Sequence, residues 1–330
     1  MRPVPLARNQ PPGRFYRGGE QIARFRGQPM QDRFSPEDWV ASVTEVTGEA
    51  GVGLTALPDG RLLRDAVDEE PEAWLGAAHV AEFGTSTEVL TKLLDAGERL
   101  PVHIHPSREF AAQHLRSSHG KAEAWIYLTD GDAHIGFLPD VTEEEILPLL
   151  AAGESAPVLE RMHRIDVRAG DVVFCPPGIP HAIGGGAFMV EVQEPADLSI
   201  FLEWKDFPLP GGAAGHLGLD EATAASAVIA GVGRTEVDSF VTATGQDCGD
   251  LLKGVEAPFR AHRLHGGDEL DAGFAVLVTV GGSGELLGRD DESFALEQGT
   301  TSVVPFAWGP SRLEGEGLEV IVARPPKASS

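Results

Sequence analysis

The first 13 residues (MRPVPLARNQPPG) show no hydrophobic period, and their prolines predict an extended N-terminal arm. From Phe15 to about Arg64 short strand-like pieces alternate with Gly, Pro and Asp, DWVASVTEV and GVGLTAL being the clearest. In TSTEVLTKLLDAG the apolar residues Val89, Leu90, Leu93 and Leu94 fall on one stripe at helical spacing. A Thr or Ser stands at its start and Gly97 just beyond its end, so the stretch predicts a helix. The pattern then changes to strict alternation. VHIHP puts His103 and His105 on one strand face. KAEAWIYL puts Glu123, Trp125 and Tyr127 on one face and Ala124, Ile126 and Leu128 on the other. Between them SREFAAQHLRSSHG reads as an inserted helix and its tail.

After Gly131 a strand, AHIGFLP, precedes a helix, VTEEEILPLLAAGE, in which Thr142 and Glu145 fit a capping box and Pro148 weakens the interior. RIDVRAGDVVFCPPGIPHAI and GAFMVEVQEP alternate again as strands. Residues 205–224 are rich in Gly and Pro and make the best boundary. Beyond them SFVTAT, FRAHRL, FAVLVTVGGSGELLG, TTSVVPF and LEVIVAR read as strands. Short, evenly spaced strands with Gly turns predict a mainly β protein built of barrels.

The chain has 330 residues, more than one typical domain, so two compact units are expected, and an apolar content of 42% is enough to fill their cores. A net charge of −25 argues against nucleic acid and anionic membranes as partners. Two cysteines, Cys175 and Cys248, make no disulfide framework and suit a reducing cytoplasm. The arginine-rich N-terminus has no apolar core of a secretory signal, and no apolar run approaches the ~18 residues of a membrane span.

The candidate chemistry gathers in three segments. His103 and His105 can aim two imidazoles at one point, Glu123 lies on an alternating strand, and GDVVFCPPGIPHAIGGG brings His181 to the end of a Pro/Gly turn. Three imidazoles and a carboxylate suit zinc, iron, manganese or nickel rather than calcium. Burying four such groups together without a cation would be costly.

The spacing of these segments resembles the two-part cupin signature. Gly97, five residues and His103-x-His105 form the first half; Gly170, five residues, Pro176-x-Gly178, two residues and His181 form the second, with Gly185 where an Asn is usual. Glu109 has the expected distance from His105 but no closing glycine. Glu123 has Gly131 eight positions later and is the expected ligand. Further, LPVHIHPSREFAAQHLRSSHGKAEAWIYL resembles the L-S-x-Q-x-H-P … G-K-x-E-x-W stretch of the type I phosphomannose isomerases. PHAIGGGAFMVEVQEPADLSIFLEW looks like their H-A … E-x-Q … S-D-x-T-Y-R segment. FYRGGEQI and PEDWVAS are weaker echoes.

The resemblance implies two cupin (jelly-roll) β-barrels with a few inserted helices. Residues 1–13 form the arm, 14–210 a metal-binding cupin domain, and 211–330 a metal-free cupin-like barrel. It implies one divalent metal, zinc first among them, on His103, His105, Glu123 and His181. Lys121 and Glu191 take catalytic roles, and Lys121, Gln193 and Arg108 touch substrate. The implied activity is metal-dependent aldose–ketose isomerisation, with mannose 6-phosphate and fructose 6-phosphate as the leading pair. An unphosphorylated sugar, or a sugar-binding cupin without catalysis, is the alternative. The partner is then a small sugar or sugar phosphate, and the protein a cytoplasmic monomer or homodimer. The chain departs from the family in three places. His103 stands where Gln is usual, Pro101 where a Ser handles phosphate, and Phe201 where the family has an Arg. Arg108, Lys205 and Arg263 are candidates to replace the lost cation.

Overall fold

The computed structural model describes every residue except 246, 248, 290, 291 and 330. Cys248 therefore lies outside the described residues, and Cys175 is a buried free thiol. The chain is mainly β, with four antiparallel sheets, and none of these closes into a barrel among the described residues. No described helix is long and apolar enough to cross a membrane.

Two sheets frame the site. A central six-stranded sheet runs in the order Val241–Thr242, Val172–Cys175, Glu123–Tyr127, Phe188–Gln193, Leu90–Asp95 and Glu37–Val40. A five-stranded sheet faces it, in the order Ile200–Phe201, His103–Ile104, His181–Ile183, Gly131–Phe137 and Met162–Val167. Between them lie Leu94, Trp125, Tyr127, Val173 and Met189 from one side and Ala133, Ile135, Ile165 and Ile183 from the other.

Strand alternation sends every second residue of the central sheet the other way. Leu93, Ala124, Ile126, Val190 and Val192 pack against Val276, Val278, Val303 and Ile321 of a second six-stranded sheet from the C-terminal third. That sheet's opposite face, with Leu277, Val320 and Val322, packs on Leu286, Leu296 and Leu313 of the four-stranded sheet. Helices Glu143–Ala152 and Ser155–Leu159 cover the outside of the five-stranded sheet, through Ile146, Leu149, Leu150 and Val158. The expected capping box at Thr142 and Glu145 is formed, with Pro148 inside the helix.

Two short strands cross between the halves. Val4–Leu6 is a strand paired with Thr301–Val303, within the C-terminal sheet. Val241–Thr242 pairs with Val172–Val173 in the central sheet.

Two expected elements are overturned. Leu90–Asp95 is a fully buried strand, not a helix. The apolar pairs that fit a helical stripe serve two faces. Val89 and Leu93 point to the shared core with the C-terminal sheet, while Leu94 points toward the site. A strand buried on both sides has no polar face to reveal its period of two. GVGLTAL also forms no regular strand, making only the bridge Ala56–Leu62. Three short helices, Leu63–Glu69, Pro71–Leu75 and Ala77–Phe83, follow it.

Candidate metal centre and substrate cavity

The register of the central sheet decides what faces the gap. Glu191 pairs with Trp125 on one side and Lys92 on the other, and Lys92 pairs with Trp39. Trp125, Glu191, Lys92 and Trp39 thus form one row across four strands. Glu123 and Gln193 pair in the next row. From the opposite sheet His103 pairs with His181 and with Phe201.

The three imidazoles are oriented alike. His103 Nδ1 lies 2.8 Å from the Pro101 carbonyl, His105 Nδ1 2.7 Å from that of Leu198, and His181 Nδ1 2.9 Å from that of Ile179. A carbonyl only accepts, so each Nδ1 carries the proton and each Nε2 is left with its lone pair turned inward. The same device orients metal-bound histidines. The Nε2 atoms of His103 and His181 stand 3.1 Å apart. Glu123 closes the cluster, with Oε2 3.0 Å from His105 Nε2 and Oε1 3.2 Å from His181 Nε2, while Trp125 donates to Oε1 at 2.9 Å. Facing lone pairs in a buried site repel unless a cation or proton lies between them. The donor set therefore fits one metal ion, and His103, His105 and His181 have ligand atoms close enough to share it.

The electrostatics agree. Burial, reinforced by its two neighbouring imidazoles, pushes His103 well below its ordinary value. Burial and, more weakly, Lys121 push His105 down to about 3 against the pull of Glu123. Both are thus neutral, as ligands must be. Burial alone would raise Glu123, but the Lys121 ammonium and the hydrogen bond to His181 hold it well below the carboxylate range. His181 is drawn upward despite its burial. Burial raises the neighbouring Cys175, so it stays a thiol, and Glu123 is the partner that holds this proton. A metal ion would take the proton's place.

A cavity opens beside the cluster. Lys121 Nζ lies 2.6 Å from both Glu123 Oε2 and His105 Nε2 and 3.6 Å from Glu191 Oε1. Lys92 Nζ lies 3.9 Å from Glu191 Oε1, 3.3 Å from Glu37 Oε2 and 4.8 Å from the centre of the Trp39 ring. Glu37 accepts from Tyr16 Oη and Trp39 Nε1, both at 2.8 Å. Burial pushes Glu191 up to about 7, against the pull of Lys92. Glu37 is held at about 2 despite burial, because Lys92, Trp39 and Tyr16 all stabilise its charge.

The structure gathers His103, His105, Lys121, Glu123 and Glu191 around this cavity, and His181 on the metal side. Gln193 and Arg108 are not among its lining residues. Gln193 spends its amide on the carbonyls of Glu194 and Ala196. Arg108 bonds Glu194 and Glu88 from the inserted helix Arg108–His114, where Glu109 is exposed. Four charged lining residues have no role assigned from the sequence: Arg14, Glu37, Lys92 and Asp197. Glu37 and Trp39 sit in the PEDWVAS echo, which was the available signal. Lys92 was hidden by the helical reading of its strand.

The glycines of FYRGGEQI explain how Phe15 and Tyr16 arrive here. A Cβ on Gly18 would lie 1.9 Å from the Asp95 carbonyl oxygen, and Gly19 has φ +104°. Asp95 then accepts from the Gly19 and Gln21 amides at 2.7 and 2.8 Å. This close approach pins the segment to the strand Leu90–Asp95.

No family model matches the chain. The mannose-6-phosphate isomerase of Streptococcus mutans is 30% identical over 186 residues, which is 54% of this chain and 54% of that protein. The chain thus spans about half the length of this relative. Mannose-6-phosphate isomerase ManA of Bacillus subtilis is 27% identical over 242 residues, covering 70% of this chain and 73% of that protein. A crystal structure of the mannose 6-phosphate isomerase from Bacillus subtilis superposes with a TM-score of 0.75 at 20% identity, over 98% of this chain and 99% of that one. A mannose 6-phosphate isomerase bound with zinc and yttrium superposes with a TM-score of 0.73 at 16% identity, over 99% and 100%. The fold is that of the phosphomannose isomerases, and the resemblance carried by the H-x-H, K-x-E and P-x-G-x-x-H segments stands.

Proposed function

We propose that the protein is a metal-dependent aldose–ketose isomerase acting on the mannose/fructose configuration, the activity named for its relatives at the 6-phosphate level. The observation that carries this reading is the position of Glu191. It is a buried carboxyl near neutrality, between two lysines and beside a cluster built to hold one cation.

Isomerisation moves a proton between C2 and C1 and the oxidation level with it. His103, His105, Glu123 and His181 would hold the metal, zinc first among candidates. When bound it polarises the sugar's carbonyl and hydroxyl oxygens and stabilises negative charge there. Glu191 Oε1 takes the proton from C2 of the aldose and returns it to C1, while Lys121 Nζ gives a proton to O1 and recovers one from O2, so that no net proton is gained or lost. A group that titrates near 7 can serve in both directions. Lys121 donates a hydrogen bond to the sugar oxygen that gains charge. Lys92, fixed by Glu37 and Trp39, keeps Glu191 from being held permanently protonated by its burial. The two-barrel cupin architecture, with residues 14–210 as the metal-binding unit and 211–330 as a metal-free one, is part of this proposal. So are the cytoplasmic setting and the monomeric or dimeric state.

The test is incubation of metal-loaded protein with mannose, fructose and their 6-phosphates in D2O. Interconversion with deuterium entering at C1 or C2 is expected. Neither interconversion nor exchange with any of the four sugars would refute the isomerase reading.

A further inference from the structure

The chemistry proposed above uses only the metal end of the cavity. The other end bears on which sugar fits, granted the isomerase reading. Beyond the metal ligands and lysines the lining is Phe15, Trp39, Leu94, Leu100 and Ile183, with Asp197, while Ser199 stays beside His105, its Oγ 3.4 Å from Nδ1. Phe15 is backed by Phe201, whose ring stands edge-on at 5.1 Å from it and 5.9 Å from the His103 ring.

The charges around the cavity are four carboxylates, Glu37, Glu123, Glu191 and Asp197, against three cations, Arg14, Lys92 and Lys121. Each cation already has an anion. Lys121 has Glu123 and Glu191, Lys92 has Glu37 and Glu191, and Arg14 has Glu49 together with the Pro12 carbonyl. The cations outside the cavity that could replace them are engaged as well. Arg108 is held by Glu88 and Glu194, and Arg99 by Glu203. Lys205 pairs with Glu154 and Arg263 with Glu319. Asp197 lines the cavity, and the Thr47 amide donates to its Oδ2 at 2.9 Å.

A phosphate dianion placed here would meet an aromatic wall and a carboxylate, and would have to take a cation from an existing partner. A neutral sugar needs neither. Its C–H faces pack on Phe15 and Trp39, and its terminal hydroxyl can donate to Asp197. We infer that the site takes an unphosphorylated aldose–ketose pair, with a hydroxyl rather than a phosphate at the end away from the metal ligands.

The test compares kcat/KM of the metal-loaded protein for mannose and mannose 6-phosphate. In parallel, tryptophan fluorescence reports the binding of mannitol and mannitol 6-phosphate. Mannose and mannitol are expected to be favoured over their 6-phosphates in both measures, since a phosphate finds no unpaired cation among the lining residues. A preference for the phosphate in either, about tenfold if one charge-assisted contact forms, overturns the inference, as does failure to bind mannitol. Binding without turnover of any sugar would instead remove the isomerase reading and leave the inference standing. As a second measurement, Asp197→Arg should shift the phosphate-to-free ratio upward by about tenfold. An unmoved ratio would overturn the charge argument.

Discussion

Glu37 is remote from the metal ligands in sequence, yet replacing it with Gln should be felt in both stability and catalysis. The carboxylate is buried, accepts from Tyr16 and Trp39, and lies 3.3 Å from Lys92. Its carboxyl is held at about 2 instead of the ordinary 4.5. At about 1.4 kcal/mol per pH unit, this preference for the charged form is worth about 3 kcal/mol to the folded state at pH 7. The sign follows from the lowered value. The stabilisation is present above pH 4.5 and lost as pH falls toward 2, with less than half left at pH 3. Gln keeps the shape but leaves Lys92 with Glu191 as its one remaining carboxylate, at 3.9 Å. Thermal or urea unfolding should therefore show E37Q less stable by about 3 kcal/mol at pH 7, the gap narrowing by more than half at pH 3. Freed from Glu37, Lys92 acts on Glu191 alone and lowers its pKa, so the acid limb of the kcat/KM profile should move below 7. A stability gap that is the same at both pH values, or an unmoved limb, would refute the account of Glu37 as the group that positions Lys92.

Three further outcomes are expected. Glu191→Gln should lower kcat by roughly a hundredfold or more while metal content stays at that of the parent protein, and should abolish the acid limb near pH 7. Metal analysis should find one divalent ion per chain; chelation should lower the unfolding temperature, and His181→Ala should lose both the ion and the chelator effect. Ile126→Ala, at a fully buried position between the central sheet and the C-terminal sheet, should cost about 2–5 kcal/mol by denaturant unfolding without changing metal content.

The metal cluster was legible because its residues sit at fixed local spacings. H-x-H on a strand, K-x-E on another and P-x-G-x-x-H at a turn each carry their geometry in a few residues. The helix Glu143–Ala152 was legible for the same reason, its cap and its stripe being local. The strand Leu90–Asp95 was not. Burial on two faces erased the alternation that marks a strand, and with it the position of Lys92. The substrate end of the cavity was hidden more deeply. Arg14, Phe15, Glu37, Lys92 and Asp197 come from four separate stretches of chain, brought together by antiparallel register and by two glycines that let the N-terminal segment touch Asp95.

This division has a consequence for specificity. A cation cluster can be kept by a few local motifs while the far wall changes one residue at a time. Phe201 pairs in register with His103, so its ring lies against a metal ligand and beside Phe15. A guanidinium there would have its charge next to the ion and would need a carboxylate or a phosphate to balance it. A phenyl ring needs neither and leaves the metal end unchanged. The same strands can therefore hold the same metal and the same proton-transfer groups while the charge the cavity accepts is set independently, by Phe15, Phe201 and Asp197.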